Sequence, residues 1–211
     1  MGAISDLHGD AGKARAFARR ILHKKVDAVV IAGDLTNEGT GKVAKEILDA
    51  FAGFRVFAVP GNMDNEEVVN ALEEKGMSLH KKAVKFNGYW FVGLGGAKPV
   101  NTYYRLNIGE LEAKKYLSGL MEGKENVILL SHSPPSGTGI SMSGSGFDLG
   151  VGAIRAAIEK YRPKVCICGH VHESMGQEMV GETLCVNTGA AKDGHAAIID
   201  LEEMTVEALE I

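Results

Sequence analysis

Apolar runs and helical spacings alternate along most of the chain. Residues 26–32 are apolar apart from Asp27, a pattern typical of a strand buried on both faces. Residues 11–25 instead carry apolar side chains three or four positions apart, which predicts a helix. The same patterns predict strands at 3–5, 26–32, 55–59, 127–130 and 164–168. They predict helices at 11–25, 43–51, 66–75, 109–121 and 150–161.

The alternation is interrupted by predicted antiparallel pairs. Asn87-Gly88, the strongest short hairpin signal, separates strands predicted at 84–86 and 89–94. Further strands are predicted at 178–180, 183–186, 196–200 and 205–211, without helices between them. The fold class is therefore α/β shading into α+β. Neither a repeat nor a long linker divides the chain, so we expect one domain over residues 1–211.

The charge of the chain is weakly acidic, and this limits the partners. The formal net charge is −4, so nothing favours long-range attraction to nucleic acid or to an anionic membrane. The lack of a basic face also argues against a nuclease. We expect no nucleic acid and no membrane partner, and the oligomeric state stays open.

Three cysteines, Cys166, Cys168 and Cys185, are too few and odd in number for a disulfide framework. A reducing, cytoplasmic location is the plain interpretation. Cys166 and Cys168 share one face of a predicted strand, where buried apolar packing is favoured over a zinc site. No segment is long and apolar enough to span a bilayer, and we expect no secretion signal before Asp6.

Five short polar motifs stand directly after predicted strands. Their Asp, Asn and His side chains offer oxygen and nitrogen donors that bind divalent first-row metals. Ligands in open α/β sheets bind at the carboxyl ends of strands, so we expect the motifs to converge on two metal sites. Gly33, Gly61 and Gly169 each precede a candidate ligand, and glycine lets the backbone approach closely. The motifs are Asp6-Leu7-His8, Gly33-Asp34, Gly61-Asn62-Met63-Asp64, Ser131-His132-Ser133 and Gly169-His170-Val171-His172.

In this order the motifs resemble those of the calcineurin-like metallophosphoesterase superfamily. The match runs from Asp6 to His172, and its spacing is most similar to that of the small, compact prokaryotic members. The stretch Val186-Asn187-Thr188-Gly189 resembles the one that follows the last histidine pair in that group. The resemblance implies a four-layer α/β/β/α sandwich and a hydrolase acting on phosphate esters.

The resemblance also implies a role for each donor. Two divalent metal ions about 3.5–4 Å apart would activate water for attack on phosphorus, with Asp34 bridging them. The first metal would be held by Asp6, His8 and His172, and the second by Asn62, His132 and His170. We count Asp34, Asn62, Asp64 and His132 as the catalytic group. Mn²⁺ is the expected metal, with Fe, Ni²⁺, Co²⁺ and Zn²⁺ as alternatives.

Met63 is the main departure from the family pattern. Many members have a histidine here that protonates the leaving group or contacts the phosphate, and a thioether cannot donate a proton. General acid catalysis contributes about 10²–10⁴-fold, and its loss affects alkoxide leaving groups most. Asp64 is the nearest replacement: it either acts as the acid or, as we favour, orients a ligand histidine.

Other polar residues have two interpretations each. Asp10 is either a third site carboxylate or, as favoured, the N-cap of the first helix. Asn37 either contacts phosphate or stabilises its loop, and Lys98 and Arg105 either reach substrate or are solvated surface charges. Residues 133–150, rich in Ser, Gly and Pro, form either a functional lip or a disordered surface loop.

The segment before Asp6 is shorter than is usual in the family. Either the natural start lies upstream or the first strand is short. We therefore expect Asp6 and His8 to stand on a weakly anchored element, which would lower the occupancy of the first metal.

Three functional hypotheses follow. A phosphodiesterase with a dinuclear metal centre is favoured, because Met63 removes the usual proton donor. The second is a phosphomonoesterase of small metabolites or nucleotides. The third is a non-catalytic scaffold of the same fold, against which the full set of donors argues. No arginine stands near Asp34 in the family's phosphate-contact position, which argues against a protein phosphatase.

Overall fold

The described residues, 1–99 and 105–211, form two sheets and five α-helices in this computed structural model. The strands are β1 (Gly2–Ile4), β2 (Val29–Ala32), β3 (Val56–Val59), β4 (Lys82–Phe86), β5 (Tyr89–Leu94), β6 (Val127–Ser131), β7 (Val165–Cys168), β8 (Gly176–Val180), β9 (Thr183–Asn187), β10 (His195–Asp200) and β11 (Thr205–Glu210). The helices are α1 (Ala11–Ile21), α2 (Gly41–Asp49), α3 (Glu66–Glu74), α4 (Glu110–Met121) and α5 (Gly152–Tyr161).

Both sheets mix parallel and antiparallel pairs. The first sheet has the order β11-β10-β1-β2-β3, and the second has the order β4-β5-β6-β7-β9-β8. Strands β1 to β3 run parallel, as do β5, β6, β7 and β9, whereas β4, β8, β10 and β11 add antiparallel pairs. This mixture confirms the prediction of an α/β fold that shades into α+β.

Alternate side chains of the buried strands fill three apolar layers. In β2, Ile31 packs under α1, α2 and α3, whereas Val30 faces the second sheet. In β6, Leu129 packs under α4 and α5, whereas Leu130 faces the first sheet. Strands that are covered on both faces have continuous apolar sequences, which is why they could be predicted from the sequence. The layers confirm the four-layer α/β/β/α sandwich.

The predicted hairpin turn at Asn87-Gly88 is present. Strands β4 and β5 pair antiparallel up to Phe86 opposite Tyr89. Asn87 has a φ of 46° and Gly88 a φ of 84°, the left-handed conformation that a type I′ turn requires at both positions.

The expectation that the first strand is weakly anchored is wrong. Gly2, Ala3 and Ile4 pair with β2 on one side, and Gly2 and Ala3 pair with β10 on the other. All three residues are buried. Pairing on both edges compensates for the short length of β1, so Asp6 follows a central strand of its sheet.

Helix α1 ends at Ile21, earlier than the predicted Lys25. Leu22 is 63% exposed, so its side chain contributes little hydrophobic burial that would stabilise a further helical turn. The polar residues that follow it add no apolar face, and the chain turns towards β2.

Residues 133–150 form an ordered loop, so the disordered alternative is wrong. A one-turn 3₁₀ helix, Gly139–Ser141, lies at its centre. The Gly144 N–H at its tip donates to Glu173 Oε1 at 2.7 Å. The loop therefore lies against the turn that begins at His172.

The three cysteines are buried free thiols that pack under α4 and α5. Among the described residues, no group of potential metal ligands includes a cysteine, so apolar packing is the interpretation that the structure supports. Within the same ranges, none of the helices combines the length and apolar character needed to cross a bilayer.

Candidate metal centre

All seven expected ligands lie at the carboxyl ends of strands. Four come from loops of the first sheet and three from loops of the second. Asp6 and His8 follow β1, Asp34 follows β2, Asn62 follows β3, His132 follows β6, and His170 and His172 follow β7. The strand-end positions predicted from the sequence therefore converge in space.

The first ligand group is Asp6, His8 and His172, whose donor atoms lie within 4.8 Å of one another. His172 Nε2 is 3.2 Å from Asp6 Oδ1 and 3.3 Å from His8 Nε2. His8 Nε2 lies 3.9 Å from Asp6 Oδ1. Two imidazole nitrogens and one carboxylate oxygen thus surround a single point.

The second ligand group contains Asp6, Asp34 and His132, again within 4.8 Å. His132 Nε2 is 2.8 Å from Asn62 Oδ1 and 3.6 Å from Asp34 Oδ1. The rings of His132 and His170 lie edge to face, with 5.0 Å between their centroids. Asn62 and His170 therefore adjoin this group, as the resemblance implies.

Asp34 lies between the two groups. Its Oδ2 is 3.9 Å from His8 Nε2, and its Oδ1 is 3.6 Å from His132 Nε2. Each oxygen faces a different group, which supports the bridging role that the resemblance implies. Asp6 has donor atoms in both groups as well, so two carboxylates separate them.

Four of the candidate ligands have left-handed backbone conformations. The φ angles are 54° at Asp6, 46° at His8, 47° at Asp34 and 70° at His170. Each such non-glycine residue costs of order 1–3 kcal/mol, and this kind of strain clusters at functional sites. The packing of the loops therefore holds these side chains in one arrangement.

Three glycines next to the ligands have no room for a side chain. An added Cβ at each would overlap a ligand, because the loops of the two sheets approach closely here. Gly33 also has a φ of 97°, which disfavours any other residue. The pairs that would collide are Gly33 with His132, Gly61 with Asp34, and Gly169 with Asp6.

The pKa values of the two shared carboxylates are shifted in opposite directions. Burial raises the pKa of Asp34 well above its usual value, the charges of Asp6 and Asp64 raise it further, and the Met63 N–H partly offsets this. Burial also acts to raise the pKa of Asp6, but the hydrogen bond with His172 and the nearby histidine charges outweigh it, so the pKa is lowered. Without metal, Asp34 therefore binds a proton more readily than Asp6 does.

Burial keeps most of the histidines neutral, the form that binds metal. It lowers the pKa of His8 to about 4 and that of His170 to about 3, and it also lowers the pKa of His132. His172 differs, because its hydrogen bond to Asp6 raises its pKa.

The donor set fits divalent cations. His132 Nδ1 lies 2.8 Å from the Ala32 carbonyl oxygen, which can only accept, so the neutral ring carries its proton there. Its Nε2 is then an acceptor that faces Asn62 Oδ1. Within the described part of the chain, the ion pairs of Asp6 and Asp34 are all with histidines. Cations held there would polarise phosphoryl oxygens and lower the pKa of bound water.

Asp64 does not orient a ligand histidine, contrary to our favoured interpretation. Its Oδ1 accepts from Thr36 N at 2.8 Å and Thr36 Oγ1 at 3.0 Å. Its Oδ2 accepts from Gly61 N at 2.8 Å and Leu35 N at 3.1 Å. Four donors saturate the carboxylate.

The carboxylate of Asp64 thus joins the loop after β2 to the loop after β3. Burial raises its pKa to about 6, against the effect of its N–H donors. The side chain is fully buried, and its two carboxylate oxygens are occupied by four hydrogen-bond donors of the surrounding loops. This argues against the acid role as well.

The half-buried Met63 contributes through its backbone. Its N–H donates to Asp34 Oδ1 at 2.8 Å. The thioether side chain supplies no proton donor, so the structure does not replace the histidine that many family members have at this position.

The structure shows the positions of the four other polar residues that had two interpretations in the sequence. Asp10 caps α1, with its side chain accepting from Lys13 N at 3.0 Å, as favoured. Arg105 pairs with Glu38 Oε2 at 2.5 Å on the surface. Lys98 Nζ donates to the Asp148 carbonyl oxygen at 2.5 Å, and Asn37 is exposed.

Two residues support the loops of the metal centre although nothing in the sequence indicated this role. Thr36 is fully buried and binds Asp64 through its hydroxyl and its N–H. The Lys192 N–H donates to the Asp6 carbonyl oxygen at 3.1 Å and so supports the loop after β1. Backbone groups make two of these bonds, and every residue type except proline offers them.

Known proteins resemble the chain in sequence and in fold. The profile of the family described as calcineurin-like phosphoesterase matches residues 1–174. An uncharacterized protein of Methanocaldococcus jannaschii is 32% identical over 191 residues, which cover 87% of this chain and 85% of that protein.

Two solved structures have the same fold at low identity. A protein of Thermus thermophilus superposes with a TM-score of 0.84 at 20% identity, covering 99% of this chain and 97% of the other. A dimetal phosphatase from Danio rerio has a TM-score of 0.70 at 13% identity, covering 99% and 95%. With the profile match over most of its length, the chain belongs to the calcineurin-like phosphoesterase family.

Proposed function

We propose that this protein uses a dinuclear metal centre to hydrolyse phosphodiesters. The observation that carries the proposal is the pair of ligand groups that share Asp6, with Asp34 within 4 Å of histidine nitrogens of both groups. Adjacent cations clamp both the attacking and the leaving oxygen of an in-line displacement at phosphorus. The common fold with a dimetal phosphatase is consistent with this.

The chain's own residues fix the donors in the proposed mechanism. The Ala32 carbonyl oxygen directs His132 Nε2 into the site, and the Met63 N–H orients Asp34. We assign Asp34, Asn62 and His132 to the catalytic group. Asp64 is a positioning residue, because it joins the loops that carry Asp34 and Asn62. Donors held in one geometry lower the barrier by positioning the reactants.

Preference for diesters rests on Met63. No side-chain proton donor stands directly after Asn62. Without a general acid, substrates with good leaving groups should be hydrolysed fastest, because their leaving groups need no proton. Aryl diesters are such substrates. Phosphomonoesters and a non-catalytic scaffold are the alternatives that the experiment separates.

The remaining details are also proposals. Mn²⁺ is the metal we expect from the family resemblance, whereas the imidazole and carboxylate donors suit Fe, Ni²⁺, Co²⁺ and Zn²⁺ as well. We propose a cytoplasmic protein that acts as one domain. Its substrate would be a small phosphate ester, because the net charge of −4 does not favour binding to nucleic acid.

The test is hydrolysis by the metal-stripped protein after addition of Mn²⁺, Co²⁺, Ni²⁺ or Zn²⁺. We expect metal-dependent release of nitrophenol from bis-p-nitrophenyl phosphate, faster than from p-nitrophenyl phosphate. A faster monoester reaction would favour the phosphomonoesterase. No turnover with any metal would contradict the enzyme, and an empty site at saturating Mn²⁺ would favour the scaffold.

Two carboxylate variants provide a matched comparison. Asp34→Asn should lower activity by at least about 100-fold, because even partners of metal ligands are worth about 10–100-fold. Asp10→Ala removes an exposed carboxylate that only caps α1, so activity should be retained. Equal effects of the two variants would mean that Asp34 has no special role.

A further inference from the structure

Gly169, His170 and Val171 form a tight turn with a strained centre. The Val171 N–H donates to the Gly169 carbonyl oxygen, two residues earlier, at 2.8 Å. His170 stands between them with a φ of 70°. A three-residue turn with positive φ is rare and strained, and it persists only where its surroundings hold it.

The turn directs His170 and the residue that follows the turn, His172, to different ligand groups. The His170 ring lies against His132, with 5.0 Å between centroids. His172 Nε2 lies 3.2 Å from Asp6 Oδ1 in the first group. A relaxed backbone at these positions would redirect at least one ring away from its group.

Three of the hydrogen bonds that hold this turn come from distant parts of the chain, and Ser174 N also donates to the Val171 carbonyl oxygen at 3.1 Å. Gly169 N donates to the His132 carbonyl oxygen at 3.0 Å, and His170 N donates to Asp6 Oδ2 at 3.0 Å. The third comes from Asn187, whose Nδ2 donates to the Val171 carbonyl oxygen at 2.9 Å. Of the three, only this last bond involves a partner that is not itself a candidate ligand.

The orientation of the Asn187 amide is determined by its surroundings. Its Nδ2 also donates to the Ile140 carbonyl oxygen at 3.3 Å, and its Oδ1 accepts from Gly189 N at 3.0 Å. Carbonyl oxygens only accept and a backbone N–H only donates, so the flipped amide would lose all of these bonds. Asn187 is 1% exposed, so these hydrogen bonds are shielded from bulk solvent.

We propose that Asn187 is a positioning residue for the metal centre. Its amide holds the turn at residues 169–171 in the strained form that divides His170 and His172 between the two ligand groups. Through Ile140 it also joins this turn to the loop at residues 133–150. The inference rests on the proposed function, because it takes the two histidines to be metal ligands.

The test compares metal binding by Asn187→Asp, Asn187→Ala and the wild type. Co²⁺ titrations followed by visible absorption report both affinity and coordination geometry. We expect a loss of affinity of about 10–100-fold and a changed spectrum, as for other partners of metal ligands. Asn187→Asp adds a negative charge that by itself would attract the cation, so weaker binding by this variant identifies the lost amide donor as the cause.

Thr183→Val is the matched control, on the same strand β9 but at its other end. Thr183 Oγ1 is buried and donates to the Pro163 carbonyl oxygen at 2.7 Å, so the variant also loses one buried hydrogen bond. It should lower the unfolding midpoint while leaving the Co²⁺ affinity and spectrum unchanged. Hydrogen exchange should increase at residues 169–174 in the Asn187 variants but not in the control.

The experiment distinguishes a failure of the Asn187 inference from a failure of the proposed metal centre. Wild-type affinity and spectrum in both folded Asn187 variants would overturn this inference while leaving the metal centre intact. No Co²⁺ binding by the wild type would overturn the metal centre itself, and the role of Asn187 with it.

Discussion

Replacing Gly169 by alanine tests whether close packing positions Asp6. Gly169 does not have a positive φ, so alanine can adopt its backbone conformation. Space alone is therefore at issue. The added Cβ would overlap Ser5 Oγ and Asp6 Oδ2, and it would stand 2.6 Å from Ser5 Cβ.

The required movement can be estimated from these contacts. Ordinary van der Waals contact begins at 3.4 Å, so Ser5 Cβ and the added Cβ must separate by about 0.8 Å, and Asp6 Oδ2, which overlaps more closely, must move further. Metal ligands tolerate displacements of only about 0.2 Å from their usual distances. Asp6 follows Ser5 directly and carries donors of both ligand groups, so both groups should be disturbed.

We expect Gly169→Ala to lower the free energy of unfolding of the metal-free protein by about 1–3 kcal/mol, the usual cost of overpacking a filled interior. Metal affinity should fall by at least about tenfold, by analogy with variants that disturb ligand orientation. Denaturation in the presence of a chelator measures the first quantity, and calorimetric metal titration measures the second.

Gly119→Ala is the matched control. Gly119 lies exposed in α4, and an added Cβ there meets nothing within 4 Å. This variant should raise the free energy of unfolding by up to about 1 kcal/mol, the helix propensity difference between the two residues, without changing metal affinity. Wild-type stability and metal affinity in Gly169→Ala would refute the packing argument.

Two further predictions concern the proton donor and pH. Met63→His should raise hydrolysis of alkyl diesters by up to about 10²–10⁴-fold and that of aryl diesters far less, with Met63→Leu as control; equal gains on both substrates would contradict it. Metal affinity should fall as the pH is lowered through the raised pKa values of His172 and Asp34, because the metal must displace their protons. Calorimetry in two buffers should detect this proton release on binding, and its absence would count against the assignment of these ligands.

The sequence predicted most of the architecture because buried strands and amphipathic helices have strong periodic patterns. Val29–Ala32 is apolar throughout since both of its faces are covered, and the Asn87-Gly88 turn has a local signature. The ligands could be predicted as a set because each one follows a strand, and parallel strands bring their carboxyl ends to one edge.

The errors came from contacts between distant parts of the chain. β1 was expected to be weakly anchored because it is short. Its second partner, β10, lies at the other end of the sequence, so no local pattern indicated their pairing. Asp64 was assigned to a histidine, whereas its donors are mainly backbone N–H groups of Leu35, Thr36 and Gly61. Backbone donors leave no trace in residue identity, so no pattern of side chains could have predicted this role.

The origin of the ligands in both sheets has a consequence for the lifetime of the fold. A cation held by Asp6, His8 and His172 would link residues 164 positions apart, as a cross-link between the two sheets that can be removed and restored. Unfolding must break this link, so the metal stabilises the folded chain by about 2.7 kcal/mol at a free concentration 100 times its dissociation constant. The metal supply would then govern how long each molecule survives as well as whether it can act.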